Sequence, residues 1–421
     1  MHKTPTVRIA IDCRIWSFQQ GTGTAVLSLA NALSKSADVG QEYTFIVHEH
    51  LRESVAPHVS GPCRLQTIPV AAPSGFKSRL RAFAPLRAIA RKVRKPALRV
   101  PASDGFVESE GFDMVHFPTQ AAYLTELPSI YQPWDLQHLH YPQFFSQGEW
   151  ERRELEYRAF CSQARYVCVQ TEWSRQDVIQ KYGIAPEKVV VIRWGSVFDA
   201  YTEPSIEAQQ AISQKFALPK QFFFYPAVTW PHKNHEVIFR ALSLLKREHQ
   251  RIVDVYFTGA STEYRGQLDE LARSLGVSEQ LHFLGFVSPE ELQSIFRAAT
   301  AMVFPSKFEG FGLPVLEAFH AGAPVLSSNA TVLPEVAQDA ALYFDPDAPT
   351  ELANLMIRML DEPGLRESLI AKGKTILSQF SIDDTAVQFQ KLYALTATRQ
   401  GREGRNEMAY AQAAGKSSVA E

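Results

Sequence analysis

Two glutamates, Glu309 and Glu317, lie in the stretch FEGFGLPVLEA with seven residues between them, and they are the side chains with the clearest chemical use. Carboxylates accept hydrogen bonds from hydroxyl groups such as those of a sugar. Gly310 and Gly312 let backbone N–H groups approach a ligand closely, and a helix that begins near Pro314 presents its positive dipole end to an anion. The pattern predicts a site for an anion, such as a diphosphate, that also carries sugar hydroxyls.

The elements around this stretch suit such a ligand. Residues 301–305 form an apolar run that predicts a strand, a loop follows, and the helix from about Pro314 leads directly to a second predicted strand at 324–329. Open parallel sheets built from such units bind ligands at the carboxyl ends of their strands. The alternative interpretation is an ordinary β–α–β unit with two surface glutamates.

The stretch FEGFGLPVLEA resembles the E-x7-E segment of retaining glycosyltransferases of the GT-B architecture, in particular family 4, which includes bacterial mannosyl- and glucosyltransferases. The likeness continues through SNATVLPEVAQDAALYFDP and is weaker towards the N terminus. It implies that Glu309, counted among the catalytic residues, binds the hydroxyls of the donor sugar and that Glu317 binds the nucleotide ribose. It also implies donor contacts from the segment Gly310, Phe311, Gly312 and Leu313.

Lys233, in the segment TWPHKNHE, comes just after a predicted strand and just before a predicted helix. Its ammonium group can therefore reach a phosphate bound near a helix N terminus. The resemblance assigns the matching lysine to the donor diphosphate. Relatives often carry an arginine six residues earlier, where this chain has Ala227, so we expect His232 or a first-domain group to supply part of the missing charge. The alternative is a surface lysine at a helix start.

The segment PWDLQHLHYPQFFS is predicted to be a loop at the strand ends of the first domain. Asp135 and His138 are its candidate catalytic residues, because histidine can exchange a proton near neutral pH and a carboxylate can orient it or hold a hydroxyl. The resemblance implies a histidine just before the acid, where this chain has Trp134, so His138 either takes that role or is a packed loop histidine. We interpret His140 as structural.

Two glycines mark the first turn of the chain. A strand at Val7–Asp12 is followed by Gly21 and Gly23 and then by a predicted helix, Ala25–Ser34. The resemblance implies that this glycine loop approaches the donor phosphate across a cleft. The alternative is a flexible turn without a ligand, because a G-x-G pattern alone is a weak signal.

A basic insertion at about 76–100 contains nine lysines and arginines and no acidic residue, with apolar residues at near-helical spacing. Such a surface can lie on anionic lipid, so we predict peripheral membrane contact through Arg91, Lys92, Arg94 and Lys95. The alternative is a solvated insertion.

Neither a metal nor a cofactor is expected. Asp345-Pro-Asp347 has the D-x-D form of some metal sites, but the central proline is better explained by a loop before a helix start. The cysteines Cys13, Cys63, Cys161 and Cys168 are scattered without metal-binding spacing, so we expect reduced thiols.

The alternation of predicted strands and helices indicates an α/β protein of the GT-B class, with two doubly wound, Rossmann-like parallel sheets facing a central cleft. We place an acceptor-side domain at 1–200, a linker at 201–220 and a nucleotide-sugar-binding domain at 221–380. A last helix at 381–395 is expected to pack back on the first domain, followed by a mobile tail at 396–421.

Composition narrows the class of protein. The chain has 421 residues, 45% hydrophobic and 21% charged, which is typical of globular proteins. A formal net charge of −2 gives no basis for nucleic-acid binding. No apolar signal core precedes the first strand and no run is long enough to span a membrane, so we expect a cytoplasmic protein that can attach to the inner face of the cell membrane.

The predicted function is transfer of a sugar, with mannose from GDP-mannose as first choice, to a glycan or lipid-linked oligosaccharide of a bacterial surface polysaccharide. The resemblance implies retention by front-face attack, assisted by the leaving phosphate, with no protein nucleophile. Two alternatives stay open: a sugar-nucleotide epimerase of the same architecture, and a catalytically silent scaffold in polysaccharide assembly.

Overall fold

The computed structural model describes residues 6–14, 21–36, 40–69, 98–195 and 203–397. Most of the basic insertion therefore lies outside the described residues, including the predicted membrane-contact residues Arg91, Lys92, Arg94 and Lys95. None of the described helices combines the length and the apolar composition that crossing a membrane requires.

The first sheet is parallel throughout and has the strand order β3-β2-β1-β4-β5-β6-β7. Ile9 of β1 is paired with Tyr43 on one side and with Met114 on the other, so β1 lies at the point where the strand order reverses. The strands are β1 (Val7–Asp12), β2 (Gln41–His48), β3 (Cys63–Ile68), β4 (Met114–Phe117), β5 (Ser129–Tyr131), β6 (Tyr166–Val169) and β7 (Val189–Val191).

The second sheet repeats this arrangement, with the order β10-β9-β8-β11-β12-β13 and its own reversal between β8 and β11. Every residue of β11 and β12 is buried, as expected for central strands of a sheet covered on both faces. The strands are β8 (Phe222–Pro226), β9 (Asp254–Thr258), β10 (Leu281–Phe283), β11 (Ala301–Phe304), β12 (Val325–Ser328) and β13 (Ala341–Phe344).

Helices connect successive strands and cover the two sheets. In the first domain they are Gly21–Lys35, Arg52–Val55, Phe106–Ser109, Gln137–His140, Gln147–Gln163 and Glu172–Tyr182. In the rest of the described chain they are Ile206–Lys215, His235–Glu248, Arg265–Leu275, Pro289–Ala298, Leu313–Ala321, Leu333–Ala337, Pro349–Asp361, Leu365–Leu377 and Ile382–Ala397. The predicted α/β class with two doubly wound parallel sheets is confirmed.

Three local differences from the sequence predictions affect the site. The first helix begins at Gly21 rather than Ala25, so both glycines belong to its first turn. The segment after Asp135 is not a loop but the short helix Gln137–His140, followed by a 3-10 turn. The strand Ser129–Tyr131 was not predicted, because three residues give too short an apolar pattern.

Two segments join the domains. The region assigned as linker contains the helix Ile206–Lys215, whose Lys215 forms an ion pair with Glu291 of the second domain at 2.5 Å. The last helix lies on the first domain, where Tyr393 Oη is 2.9 Å from His116 Nδ1. Where the chain leaves the first domain, the Gly195 N–H donates to Thr385 of that helix at 2.8 Å.

Candidate functional site

Lys233 and Glu309 meet at the reversal point of the second sheet. Lys233 ends a 3-10 turn that follows β8, and Glu309 lies in the loop that follows the adjacent strand β11. The Lys233 Nζ atom is 2.5 Å from Glu309 Oε1, and the two side chains are only 19% and 12% exposed. The structure thus brings together two predicted donor residues that are 76 positions apart in the chain.

Hydrogen bonds from side chains to backbone carbonyls hold the Lys233 turn in place. Tyr225 Oη donates to the Lys233 carbonyl at 2.8 Å. Asn234, in a left-handed conformation with φ 56°, donates from Nδ2 to the carbonyls of Pro305 and Pro346 at 3.1 and 2.7 Å. The lysine turn is therefore tied to the end of β11, so the charge has a fixed position before any ligand binds.

The helix Leu313–Ala321 begins at this point. Its N-cap is Gly312, whose φ of 91° lies in the left-handed region that glycine adopts without strain. No hydrogen bond from a described side chain caps this helix start. The first N–H groups of a helix have no partner within the helix, so they are suited to bind an anion. Glu317 lies one turn into the same helix and is half-buried.

The two domains touch at Gly310. A β-carbon added there would lie 2.8 Å from the Trp134 carbonyl oxygen and 3.2 Å from Asp135 Cβ. Glycine is needed because any larger residue would push against the first-domain backbone. Asp135 therefore lies beside the loop that carries Glu309.

The Asp135 carboxyl group is desolvated and has an altered pKa. Its Oδ1 accepts a hydrogen bond from the Gln137 N–H at 3.0 Å. Desolvation raises the pKa of Asp135 and the negative charge of Glu309 adds to this effect, while the Gln137 N–H opposes it. Two carboxyl groups and one ammonium group from different domains thus face one site, an arrangement suited to a polyhydroxylated ligand.

His138 is not brought to this site. Its side chain is completely buried inside the first domain, where Nε2 is 3.5 Å from Glu154 Oε2 and 3.3 Å from Tyr182 Oη. Burial lowers the pKa of His138 to about 4. The short helix that replaces the expected loop carries His138 away from Asp135. We therefore leave His138 out of the proposed site.

Trp134 stands where the resemblance implies a histidine, and its side chain is buried. Its ring stacks on Trp194 at a centroid distance of 5.7 Å, and its Nε1–H donates to the Pro118 carbonyl at 2.9 Å. His140 Nε2 is 2.8 Å from Asp177 Oδ1. The His140 ring also lies against Phe308 of the second domain, with ring centroids 5.1 Å apart. Both residues contribute to the domain contact.

Gly21 reaches the second domain, whereas Gly23 is buried within the helix Gly21–Lys35. A β-carbon at Gly21 would lie 3.6 Å from Leu313 Cδ1, which leaves room for ordinary contact. The starts of two helices, one from each domain, therefore lie next to each other.

The expectation that His232 supplies part of the missing charge is wrong. Burial, reinforced by the neighbouring Lys233 ammonium, lowers the pKa of His232 to about 4, so its imidazole is neutral at pH 7. His232 therefore does not replace the positive charge of the arginine that relatives often carry at the position of Ala227.

Asp345 and Asp347 take part in local contacts. Asp345 Oδ1 accepts from the Asp347 N–H at 2.8 Å, and Asp347 Oδ1 pairs with Lys307 Nζ at 2.5 Å. Within the described ranges, no group of three or more His, Cys, Asp or Glu residues has the geometry of a metal site.

Two further residues of the site region were missed by sequence reasoning. The Thr331 hydroxyl is 3.2 Å from both the N and O atoms of Glu309 and so fixes the acid's backbone. Glu335 accepts hydrogen bonds from the N–H groups of Glu172 and Trp173 at 2.8 and 3.0 Å, across the domain boundary. Both residues lie in TVLPEV, which carries the family resemblance but indicates no partner by spacing alone.

Two family models match consecutive parts of the chain. The model described as Glycosyltransferase Family 4 matches residues 20–195, and the model described as Glycosyl transferases group 1 matches residues 207–376.

Named relatives match about half of the chain. The O-antigen chain mannosyltransferase B of Escherichia coli is 30% identical over 237 residues, which are 55% of this chain and 61% of that protein. The serotype-specific mannosyltransferase WbdA of Escherichia coli is 35% identical over 215 residues, 50% of this chain and 26% of that protein. The chain thus spans less than two thirds of the length of these relatives.

Solved structures share the fold along nearly the whole chain. Anabaena HepE in complex with UDP and glucose superposes with a TM-score of 0.68 at 17% identity, covering 92% of this chain and 100% of that chain. WaaG, a glycosyltransferase involved in lipopolysaccharide biosynthesis, gives 0.65 at 15% identity, covering 91% and 99%. With both family models matched and both sheets arranged as in these structures, the chain belongs to the GT-B glycosyltransferases of group 1 and family 4.

Proposed function

We propose that the protein transfers a sugar from a nucleoside diphosphate donor to a hydroxyl group of a glycan, with retention of the anomeric configuration. One observation carries the proposal: Lys233 and Glu309 pair at the start of the helix Leu313–Ala321, beside Asp135 of the opposite domain. A cation, a helix N terminus and carboxylates in one cleft match the phosphate and hydroxyl groups of such a donor.

Each group has a distinct role in this proposal. Lys233 and the N–H groups at the helix start stabilise the diphosphate as it gains negative charge on departure. Glu309 and Asp135 accept hydrogen bonds from sugar hydroxyls, and Glu317, one turn along the helix, accepts from the ribose.

The reaction requires no covalent intermediate with the protein. The bond between sugar C1 and the phosphate oxygen breaks, and the acceptor oxygen bonds to the same face of C1. The acceptor proton moves to the departing phosphate oxygen. This route follows from the family resemblance and is supported here by the cation at the leaving-group side.

GDP-mannose is the proposed donor, and the acceptor is a glycan or lipid-linked oligosaccharide of a surface polysaccharide. The support is that two relatives at 30% and 35% identity are named mannosyltransferases, one of them for the O-antigen chain. UDP-glucose is the second candidate, because HepE shares the fold and was crystallised with UDP-glucose.

The proposal includes peripheral contact with anionic membrane through the basic insertion. It is supported by the composition of residues 76–100, which contain no acidic residue. Replacing Arg91, Lys92, Arg94 and Lys95 by Gln should release the protein from vesicles containing phosphatidylglycerol, since each basic residue contributes about 1 kcal/mol at an anionic surface. Unaltered vesicle binding would disprove the membrane contact without affecting the catalytic proposal.

The activity is tested with purified protein, GDP-mannose and a mannose-terminated oligosaccharide. We expect an α-linked product, identified by NMR, and its loss in Glu309→Gln but not in Glu362→Gln, which removes an exposed acid paired with Arg358. Conversion of the donor to a different free sugar or nucleotide sugar without an acceptor would instead support the epimerase. Product formation at the wild-type rate by Glu309→Gln would refute the proposed site.

A further inference from the structure

A cavity of about 280 Å³ lies at the reversal point of the first sheet. It is bordered by Asp12, His48 and Phe117, the last residues of β1, β2 and β4. Ligands of doubly wound sheets bind at this kind of position, outside the carboxyl ends of the strands where the order reverses. Its volume is just below the ~300–1,000 Å³ typical of small-molecule sites, which suits a single sugar ring.

An ion network forms the polar wall of this cavity. The Arg14 guanidinium donates to Asp12 Oδ2 at 2.8 Å and to Asp104 Oδ2 at 2.9 Å. Tyr123 Oη donates to Asp12 Oδ2 at 2.7 Å, and its ring lies 5.0 Å from the Arg14 guanidinium carbon. Burial lowers the pKa of His48, so the imidazole at the rim is neutral.

The charges of this wall do not cancel. Among the described residues that line the cavity, two carboxylates face one guanidinium, which leaves a formal excess of one negative charge. Phosphate or carboxylate ligands are therefore disfavoured, whereas neutral hydroxyl groups can donate to the carboxylate oxygens and accept from Arg14. The other lining groups, including Phe117 and Ala121, offer an apolar surface for the C–H face of a ring.

Thr119 provides a second, independent indication of a ligand. It lines the cavity, is 5% exposed, and its buried hydroxyl has no hydrogen-bond partner among the residues that the structure describes. Leaving a buried hydroxyl unsatisfied is costly, so a ligand that hydrogen-bonds there gains affinity.

The cavity is linked to the donor site through the backbone. Thr119 follows Pro118, whose carbonyl accepts the indole N–H of Trp134. The Trp134 carbonyl in turn lies against Gly310. The hydrogen bond of Trp134 to Pro118 and the close approach of the Trp134 carbonyl to Gly310 thus connect the cavity wall to the loop that carries Glu309.

We propose that this cavity binds the terminal sugar of the acceptor, and that it selects a neutral hexose over a uronic acid or a sugar phosphate. The inference rests on the proposed function, since it names the acceptor class for that reaction. Thr119 and Asp104 are the specificity-determining residues, through the unpartnered hydroxyl and the uncompensated negative charge.

The test is binding of two glycosides to the full-length protein, measured by saturation-transfer NMR titration. Methyl α-D-mannopyranoside and the corresponding mannuronic acid glycoside differ only at C6, which is a hydroxymethyl group in the first and a carboxylate in the second. We expect the neutral glycoside to bind at least tenfold more tightly. Thr119→Val should weaken its binding about five- to tenfold, the loss of one hydrogen bond, whereas Thr375→Val, at an exposed helix position, should not.

Asp104→Asn keeps the shape of the side chain and removes the excess negative charge of the cavity wall. It should therefore reduce the ratio of the affinities for the neutral and the mannuronic acid glycosides. Asp361→Asn removes an exposed acid paired with Arg251 and should leave the preference unchanged. Absence of neutral glycoside binding in the wild type, or wild-type affinity and preference in both cavity variants, would overturn the inference. GDP and UDP binding are titrated in the same samples. The absence of both would refute the proposed donor function, whereas the glycoside titrations decide the cavity proposal separately.

Discussion

The environment of Asp135 differs from that of an ordinary surface acid, because desolvation raises the pKa of its carboxyl group. It is the first-domain carboxyl group next to Gly310 and it is close enough to Glu309 for the two negative charges to interact. A position that keeps a desolvated acid near a second acid sacrifices stability, which is typical of functional sites.

Asp135→Asn tests this interpretation through pH. Desolvation raises the folded-state pKa of Asp135 above its ordinary 3.8, so folding favours its protonated form. The stability contributed by this group is present at low pH and is lost as pH rises through the raised pKa. Asparagine does not titrate, so the variant should be more stable than wild type at about pH 8, with an advantage that shrinks on acidification.

Urea unfolding over a pH series measures this difference, with Asp361→Asn as the exposed control. Sugar transfer by Asp135→Asn should fall about 10- to 100-fold, as expected when a hydrogen bond to a charged group is lost. A stability difference that does not vary with pH would disprove the desolvated state of Asp135, and unchanged transfer would disprove its contact with the sugar.

Gly310→Ala tests the closeness of the two domains. The new methyl group would lie 2.8 Å from the Trp134 carbonyl, so the domains must move apart. Because a displacement of about 1 Å can reduce a rate about 100-fold, we expect kcat to fall by this order. The Kd of GDP should be retained, because the proposed nucleotide contacts lie in the second domain.

The control for Gly310→Ala is Gly266→Ala. Gly266 lies in the helix Arg265–Leu275, and apart from the backbone of that helix an added β-carbon there would meet no described atom within 4 Å. A wild-type kcat for Gly310→Ala would show that the domain contact at this loop is not needed for transfer.

At the residue scale, sequence predicted the positions of the candidate residues better in the second domain than in the first. Lys233 and Glu309 follow adjacent strands of the second sheet, so their meeting follows from the order of the strands. His138 was misplaced because the short helix Gln137–His140 has too few residues to show a period, and its orientation is set by packing against Tyr157 and Glu154. Neither contact is visible in local sequence.

Among the elements, the helix Glu172–Tyr182 is connected to the second domain by Glu335. This acid accepts the N–H groups of Glu172 and Trp173, which lie at the helix start where orphan donors and the positive dipole end favour a carboxylate. The contact acts as an interdomain cap: a side chain of one domain completes a helix of the other.

Glu335→Ala should therefore weaken the domain contact. We expect the free energy of unfolding to fall by about 1–2 kcal/mol, the usual effect of removing a helix cap, together with a larger radius of gyration by small-angle X-ray scattering. Glu362→Ala, at an exposed position paired with Arg358, is the control. If Glu335→Ala kept both wild-type stability and wild-type dimensions, the cap would have no part in holding the domains together.

The ends of some strands were predicted correctly, whereas the start of the first helix was missed, because local sequence does not show tertiary packing. The strand Val7–Asp12 has the predicted ends, because its apolar run begins two residues after Pro5, a turn-forming residue. The helix start at Gly21 was missed because two glycines disfavour a helix locally. Its buried face, which includes Val26, Leu29 and Leu33, provides the tertiary packing that overrides this preference.

For the whole molecule, the two sheets present their reversal points to the same cleft. The second sheet contributes Lys233 and Glu309, and the first contributes Asp135 and the neighbouring cavity at Asp12 and Thr119. The two-domain architecture was predictable because strand–helix alternation occurs twice along the chain. The cavity was not predictable, because Asp12, Asp104 and Thr119 are far apart in sequence and only the folded sheet places them together.

Donor binding by the whole protein is the most direct test of the central claim that this cleft holds a nucleoside diphosphate sugar. A thermal-shift panel of GDP- and UDP-sugars should reveal one donor, with GDP-mannose expected. At 100 times its Kd, that donor should stabilise the protein by about 2.7 kcal/mol. The stabilisation should be lost in Lys233→Met and retained in Lys215→Met, which alters an exposed ion pair. No stabilisation by any GDP- or UDP-sugar, or an equal shift in Lys233→Met, would contradict the account.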